Sequence, residues 1–515
     1  MQVRPFLAVL PLVLAASVSA EEVTFLSAKI AETPGFIGSA VFGEDGSLLY
    51  SVQNPVANTQ DVIYNGVNIS ADILGADRFA LVAGVYGGQP AWWGYGQLTG
   101  GDNKSRVFLY TTDVSGIWVP NLEWARAAAA SPAGIAWYCK KAGTNAPQDT
   151  YKNEILLSGF LGSTRNTVAT DINDQGQVIW HGFGSATGGN RDVYVDSTNF
   201  TASILTGTRL ATSVAINNRG TVIWFGRGIN TSGKEHAFVN ATDISAPLVG
   251  ASTVARSVLL NENDQVAWIA YLTNGEGISD VWLDDRNVSA AILGLDREAW
   301  PIALNDSGDL LWYGSGRNLD AVQDIFVNDF NLSRSVLGPN RPASSGVTMN
   351  NRGWVLWQTP NAMQSVDTTV SMPCNRPVSG TVTLAQYLGD PANVRLTFSV
   401  REAHQGWNMG AVTAYPNSSG QFMVMLPDGV FDVTVSAPTF LRKLIAGLDT
   451  SGAGVEGLQI SLLGGDADGD NDVDFSDVAK VMYFFGKQTS DLNGDGVMDL
   501  HDLNLVLTNL GLHGD

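Results

Sequence analysis

Cysteine, positive charge and histidine are what this chain has least of: two Cys, 29 Lys plus Arg against 50 Asp plus Glu, and five His in 515 residues. So few cysteines exclude a disulfide-built scaffold, so packing must hold the fold, and Cys139 and Cys374 read as a bonded pair or as two separate thiols equally well. The formal charge of -21 sets the surface against phosphate backbones and removes nucleic acid from the expected partners. His181, His236, His404, His501 and His513 are scattered, with no HExxH, no GxSxG and no Walker loop. No catalytic constellation stands out, although a buried acid pair would be lost among so many carboxylates. Long apolar runs are also missing, except at the start. There Arg4, the apolar stretch Phe6 to Ala16 and the small residues Val18-Ser19-Ala20 predict a secretory signal peptide over 1–20. The stretch is too short for a bilayer span, so the reading is a secreted or cell-surface protein without a membrane anchor.

What is abundant is repetition. DINDQGQVIWHG (171–182), AINNRGTVIWFG (215–226), LLNENDQVAWIA (259–270), ALNDSGDLLWYG (303–314) and TMNNRGWVLWQT (348–359) share one form, a polar turn followed by an apolar run ending in Trp. The beat of about 44 residues continues upstream through Trp137, Trp93 and Tyr50. After each Trp comes a short alternating run (DVYV, HAFV, DVWL, DIFV) and then a small apolar segment (ASILTG, SAAILG, SRSVLG), so each unit reads as four short strands. Four strands per unit predict a β-propeller over 21–373, with eight blades favoured and seven as the alternative count. The last unit lacks its fourth segment, and EVTFLSAKIAE (22–32) at the N-terminus is placed to supply it. The recurring Trp residues read as packing between blades, and Asn217, Asn305 and Asn350 as turn formers. In the pair Trp92-Trp93, alternation turns one ring away from the other, a pointer to a binding surface. INNRGTVIWFG and HAFV resemble loosely defined extracellular repeat families, which imply a propeller more than an activity.

From 378 to 463 the beat gives way to alternating runs around Pro427-Asp428-Gly429, read as a small β-sandwich with a tight turn. Gly380 to Val382 and Gly420 to Val433 resemble the carboxypeptidase-regulatory-like or prealbumin-type modules, which implies a spacer or adhesive unit.

The tail, 464–515, carries two acidic loops each followed by an apolar repeat. Counting from Asp466, oxygen ligands fall at Asp468, Asp470 and Asp477, with the carbonyl of Asp472 between them. The second copy offers Asp491, Asn493, Asp495, the Val497 carbonyl and Asp502. This spacing suits calcium, a hard cation that takes six to eight oxygens. Gly496 and Asn471 stand where the loop must turn sharply. Val478, Val481, Met482 and Phe485 share one helical face, as do Leu503, Val506, Leu507 and Leu510, and the two faces are expected to pack together. The duplicated loop-helix unit resembles the type I dockerin, which implies two calcium ions and a cohesin-like partner. Phe475-Ser476 and Leu500-His501 depart from that family's usual Ser-Thr recognition pair. The whole reads as a mainly β, secreted binding or surface protein with a calcium-dependent docking module and a polysaccharide as a candidate ligand. The alternative reading is a polysaccharide-degrading enzyme with a propeller catalytic domain.

Overall fold

The computed structural model describes residues 24–515 apart from 34, 44–45, 102–103, 144, 273–277, 321, 339–344, 361–365 and 488–490. The expected signal peptide thus lies outside the described residues. The architecture is mainly β, a succession of small antiparallel sheets ending in two helices. No helix among the described residues is long and apolar enough to cross a membrane.

One repeat shows why the sequence folds as it does. Strands Asn166–Ile172, Val178–Phe183, Asp192–Val195 and Thr198–Asn199 form an antiparallel sheet in chain order. Five such four-stranded sheets stand alone from residue 37 to 331, and two more share an eight-stranded sheet joined only at Ala130–Gly84. The eighth is built from both ends of the series. Ser345–Met349, Val355–Pro360 and the start of Val366–Ala385 pair in order, and Phe25–Thr33 from the N-terminus pairs antiparallel with the last of them. The first strands of neighbouring units lie side by side, and the series closes where Ile37 N–H donates to Gln358 Oε1 (2.8 Å) and Asn350 Nδ2 to Gly43 O (3.2 Å).

The aromatic beat is a packing device. Trp180 stacks on Tyr194 at 4.3 Å, Trp224 on Phe238 at 4.0 Å, Trp268 on Trp282 at 5.0 Å and Trp312 on Phe326 at 4.2 Å, with the leading Trp of each pair fully buried. Each of these indoles donates Nε1–H to the carbonyl of a turn residue in the left-handed region, such as Asp196 or Asn240. One of the expected positions is corrected by one residue. Trp92, not Trp93, stacks on Phe108, whereas Tyr50 holds its place in the repeat, opposite Ile63 as Trp180 is opposite Tyr194. The residue after each Trp is also often aromatic (Tyr138, Phe225, Tyr313), so the sequence carries two rings of aromatics and a one-residue slip exchanges them.

A second correction concerns the fourth strand. The small apolar segments form single helical turns, Ala71–Leu74, Ala246–Val249, Ala290–Leu293 and Leu332–Leu337, and the fourth strand is a two-residue piece just before them. The cause is local. Asn68, Asp243, Asn287 and Asn331 each accept backbone N–H bonds two or three residues on and turn the chain into a helix. A buried Ser or Thr beside them then bridges an aspartate and a strand N–H. Thr201 Oγ1 donates to Asp192 Oδ1 and accepts from Val193 N–H, and Arg209 closes on the same carboxylate with bonds of 2.7 and 3.0 Å. The set recurs as Asp61–Ser70–Arg78, Asp149–Ser158–Arg165 and Asp280–Ser289–Arg297. In one unit the acid is replaced by His236, which meets Asp243 at 2.5 Å.

The turn asparagines do more than turn. Asn173, Asn217, Asn261 and Asn305 are buried, and each Nδ2 donates to the backbone carbonyl of its counterpart in the next unit at 2.8 to 3.5 Å, stitching the series at one end. Nearby, burial pushes the Asp171 carboxyl up to about 6, against the pull of N–H bonds from Ile216 and Ile172. A raised carboxyl favours the fold most below its unfolded value, and that contribution is lost as pH rises through about 6. The melting temperature of Asp171→Asn, measured from pH 7 down to 5, should therefore lack an upward step that the parent shows.

No linker separates the eighth unit from the sheets that follow. The strand Val366–Ala385 runs on from the eighth unit and pairs with Gln421–Pro427 and, in parallel, with Val455–Leu463. A second sheet, Asn408–Ala414, Leu396–Glu402, Val430–Ala437 and Phe440–Asp449, lies opposite. Pro427-Asp428-Gly429 joins strands of different sheets and is not a hairpin turn, because Asp428 is held by Arg376 and its carbonyl by Trp354 Nε1–H. One core, from Leu26 and Phe42 through Trp354 to Val378 and Phe431, spans the junction. Cys139 and Cys374 are buried, unbonded thiols pushed up to about 12 chiefly by burial, which makes them inert.

Candidate metal centre

The two tail loops repeat one hydrogen-bond scheme. In the first, Asp466 accepts from Gly469 N–H (2.7 Å) and Asn471 N–H (3.1 Å), while Asp477 accepts from Ala467, Asp468 and Asp474. In the second, Asp491 accepts from Gly494 and Gly496, and Asp502 from Leu492, Asn493 and Asp499. Asp477 and Asp502 are fully buried. Each is the third residue of its helix, Phe475–Phe484 or Leu500–Asn509, and closes a capping box with the N-cap Asp474 or Asp499. Asn471 and Gly496 take positive φ, 77° and 103°, where the sharp turn was expected.

Carboxylate oxygens of Asp466, Asp468 and Asp470 lie within 4.8 Å of one another, and those of Asp495 and Asp499 do so with a ring nitrogen of His501. Both clusters could hold a divalent ion. Asp472 and Val497 follow in their loops, with N–H groups on Asp470 Oδ1 and Asp495 Oδ1, and Asn493 Nδ2 donates to Asp495 Oδ2. Neither Asp499 nor His501 reads as a ligand in the sequence, where His501 belongs to the Leu500-His501 pair. Asp499 carries the N-cap role, and His501 Nδ1 lies 3.1 Å from it. Burial raises the Asp466 carboxyl, aided by the charges of Asp477 and Asp470, and burial raises Asp468 likewise, with Asp477 adding to it. The first cluster, an all-oxygen set of crowded acids, fits a hard cation, whereas the second includes a ring nitrogen and brings together Asp495, Asp499 and His501 instead of Asp491, Asn493, Asp495 and Asp502.

Both loops also touch the sandwich. Arg442 N–H donates to Asn471 Oδ1 at 2.8 Å, Leu388 N–H to Asn493 O at 2.6 Å, and Lys443 Nζ meets Asp515 at 2.8 Å. Between the helices the core is Val473, Val481, Leu492, Met498, Leu505 and Val506, with Val478, Phe484 and Leu503 against it. Half of the expected apolar stripe is therefore not in the core. Met482, Phe485, Leu507 and Leu510 are exposed, because positions 478, 481 and 484 turn inward instead of 482 and 485. Phe475 (75 % exposed) and Leu500 (67 %) join them, so the outer side presents the matched pairs Phe475/Leu500, Met482/Leu507 and Phe485/Leu510.

In the ring, His181 Nδ1 lies 2.9 Å from Ser213 Oγ, the makings of a nucleophile and base. Ser213 is buried, and burial, with the Arg191 charge, pushes His181 down to about 4, leaving a weak base. The contact serves packing between units.

No family model matches the chain, and no curated protein matches it in sequence. Among solved structures it has a weak, low-identity similarity to a chain of a type II cohesin–X–dockerin complex from Acetivibrio cellulolyticus, at 20 % identity over 27 % of this chain and 98 % of that one, with a TM-score of 0.22. It is also weakly similar to a prolyl endopeptidase, at 10 % identity over 69 % of this chain and 57 % of that one, TM-score 0.40. Prolyl oligopeptidase B from Galerina marginata gives 10 % identity, 79 % and 56 % coverage and a TM-score of 0.34. The chain spans just over half the length of these two peptidases.

Proposed function

We propose that the chain is a secreted or cell-surface binding protein. Its closed series of units (21–373) is an eight-bladed β-propeller serving as recognition platform, and its tail (464–515) is a calcium-loaded docking module carried on the sandwich (378–463). The observation that supports this best is the duplication in the tail, two loops of identical hydrogen-bond scheme flanked by exposed apolar pairs in matching positions. Asp466, Asp468, Asp470, Asp477 and the Asp472 carbonyl would hold one calcium. Asp491, Asn493, Asp495, Asp502 and the Val497 carbonyl would hold the other. Bound calcium supplies the positive charge that offsets the crowded carboxylates. The partner is a cohesin-like protein domain that covers Phe475, Met482, Leu500 and Leu507.

Isothermal titration with calcium should report two sites, with Asp466→Ala and Asp491→Ala each deleting one. Free calcium at about 100 times Kd should stabilise the tail by roughly 2.7 kcal/mol per site. With Asp466 and Asp468 raised by burial, protons compete at higher pH than for ordinary carboxylates, so affinity should fall on acidification from neutrality. A single site, or none, would overturn the reading. Phe475→Asp with Leu500→Asp should abolish partner capture without changing calcium uptake. The alternative reading, a propeller that degrades polysaccharide, predicts reducing-end release by the mature chain. Release from any glycan in a plant, algal and bacterial panel would replace the binding reading.

A further inference from the structure

Where the first unit meets the second, a cleft of about 490 Å³ opens, lined by Gln53, Asn58, Thr59, Asp77, Phe79 and Tyr95. It exists because one loop is short. In four other units the connection between second and third strands carries a 3-10 turn, at Gln97–Thr99, Ser185–Thr187, Ile229–Thr231 and Arg317–Leu319. In the first unit that connection runs only from Asn54 to Thr59. Thr59 and Gln60 precede Asp61 as Asn190 and Arg191 precede Asp192, and between the fourth and fifth units those two side chains fill the gap. Asn190 Oδ1 accepts Arg209 N–H, and Arg191 reaches Ala211 O and Thr212 Oγ1. Between the first and second units nothing of that length is present.

The groups left at the cleft are uncommitted. Within the described residues, the side chains of Gln53, Asn58 and Asp77 and the Tyr95 hydroxyl make no hydrogen bond or ion pair. Thr59 Oγ1 is buried without a partner, an uncommon state for a hydroxyl. Arg78, by contrast, is spent on Asp61 and on the Gly75 carbonyl. Tyr95 and Phe79 stack at 5.4 Å and 15° and give the cleft an aromatic wall. The volume suits a small ligand. Amides that both donate and accept, one free carboxylate and a hydroxyl suit a ligand dense in hydroxyl groups, and the ring wall suits a face of C–H groups. With the one available cation neutralised and the protein at -21, an anionic ligand is disfavoured. We infer that this cleft binds a neutral saccharide, one or two sugar units of a glycan, resting on Tyr95 and hydrogen-bonded by Asp77, Gln53 and Asn58.

The inference rests on the ring being a recognition surface, and the test separates the two. Full-length calcium-loaded protein is titrated with neutral hexasaccharides of the cello-, xylo-, manno-, laminari- and malto- series, alongside Tyr95→Ala, Gln53→Ala and Asp77→Asn. Asparagine tolerates the positive φ of 50° at position 77, and unchanged melting temperatures confirm folding. Binding by the parent with at least a tenfold weaker Kd in Tyr95→Ala and in Asp77→Asn is expected. Binding that all three variants retain overturns the cleft and leaves the ring a recognition platform. No binding of any hexasaccharide overturns the cleft assignment, and the tail's two-site calcium titration still tests the docking module.

Discussion

Arg209→Ala should cost about 3–5 kcal/mol of ring stability, the range for breaking a buried ion pair by deleting one partner. Asp192 is 1 % exposed and takes four side-chain bonds, from Arg209 twice, Thr201 and Asn199. Burial alone would raise its carboxyl, but the Arg209 and Asn199 bonds and the Arg209 charge outweigh that and hold it below the ordinary range. Removing Arg209 leaves a buried carboxylate with only neutral donors. Because the carboxyl is depressed, its contribution is present above the unfolded value and is lost as pH falls through the folded one, so the parent and Arg209→Ala should converge in strong acid. Arg317, paired with Asp296 at the surface, is the control, and its alanine variant should change stability by less than about 1 kcal/mol. Arg209→Met combined with Asp192→Leu should recover much of the loss, since two apolar side chains leave no uncompensated charge. Urea midpoints measure all four. Equal effects of Arg209→Ala and Arg317→Ala would mean that the repeated Asp–Ser/Thr–Arg set is not a stabilising element.

Trp224→Ala should be as damaging, at about 3–5 kcal/mol. The indole is fully buried, stacks on Phe238 at 4.0 Å and 3°, and donates Nε1–H to Asn240 O at 2.8 Å. Deleting it opens a void in a core shared with Ile179 and Val193 of the preceding unit and Ala211 of its own, so two units lose contacts at once. It also strands the Asn240 carbonyl, and Asn240 is held at φ 50° in the hairpin. Trp224→Phe keeps the stacking but loses the donor, and should cost about 1–2 kcal/mol. Trp93→Ala should cost markedly less than Trp224→Ala, because Trp93 sits on the other side of its strand, half-exposed beneath Arg126 at 5.0 Å. Thermal melts of the three variants rank them, and an equal loss at Trp93 would invalidate the register that places Trp92 in the repeat.

What could be read from the sequence was whatever recurs along one element. The 44-residue beat is visible because a Trp and its apolar run sit on a single strand, and the tail loops because every expected oxygen lies within a short stretch. Residues 22–32 could be read as the missing member of the last unit because only that unit lacked its partner, and the strand that pairs there is Phe25–Thr33. The Asp192–Thr201–Arg209 set was illegible for the opposite reason. Its members come from a strand, a bend after the two-residue fourth strand and the next unit's entry, which no single element brings together in sequence. Positions 92 and 93 hold the same residue, so alternation alone does not choose between them. The small apolar segments read as strands because four residues are too few to show helical periodicity. Exposure of Met482 and Leu507 followed from which side of a ten-residue helix the loops and the sandwich pull inward, a tertiary fact. The cleft beside Tyr95 depends on a loop being shorter than its counterparts, which is visible only once the units are superimposed in space.

The clasp between Phe25–Thr33 and Val366–Ala385 sets a timetable for folding. Phe25–Thr33, the first strand among the described residues, has to wait for almost the last part of the series before it finds its partner, which makes closure a late step of high contact order. Until then the free edge of Val366–Ala385 and the N-terminal strand are two unpaired edges, each able to pair with the wrong chain. Because Val366–Ala385 also belongs to the sandwich, ring closure and sandwich assembly share a single strand. A chain that stalls at one should stall at both, and refolding at high protein concentration should yield strand-exchanged dimers in which one molecule's Phe25–Thr33 completes another's ring.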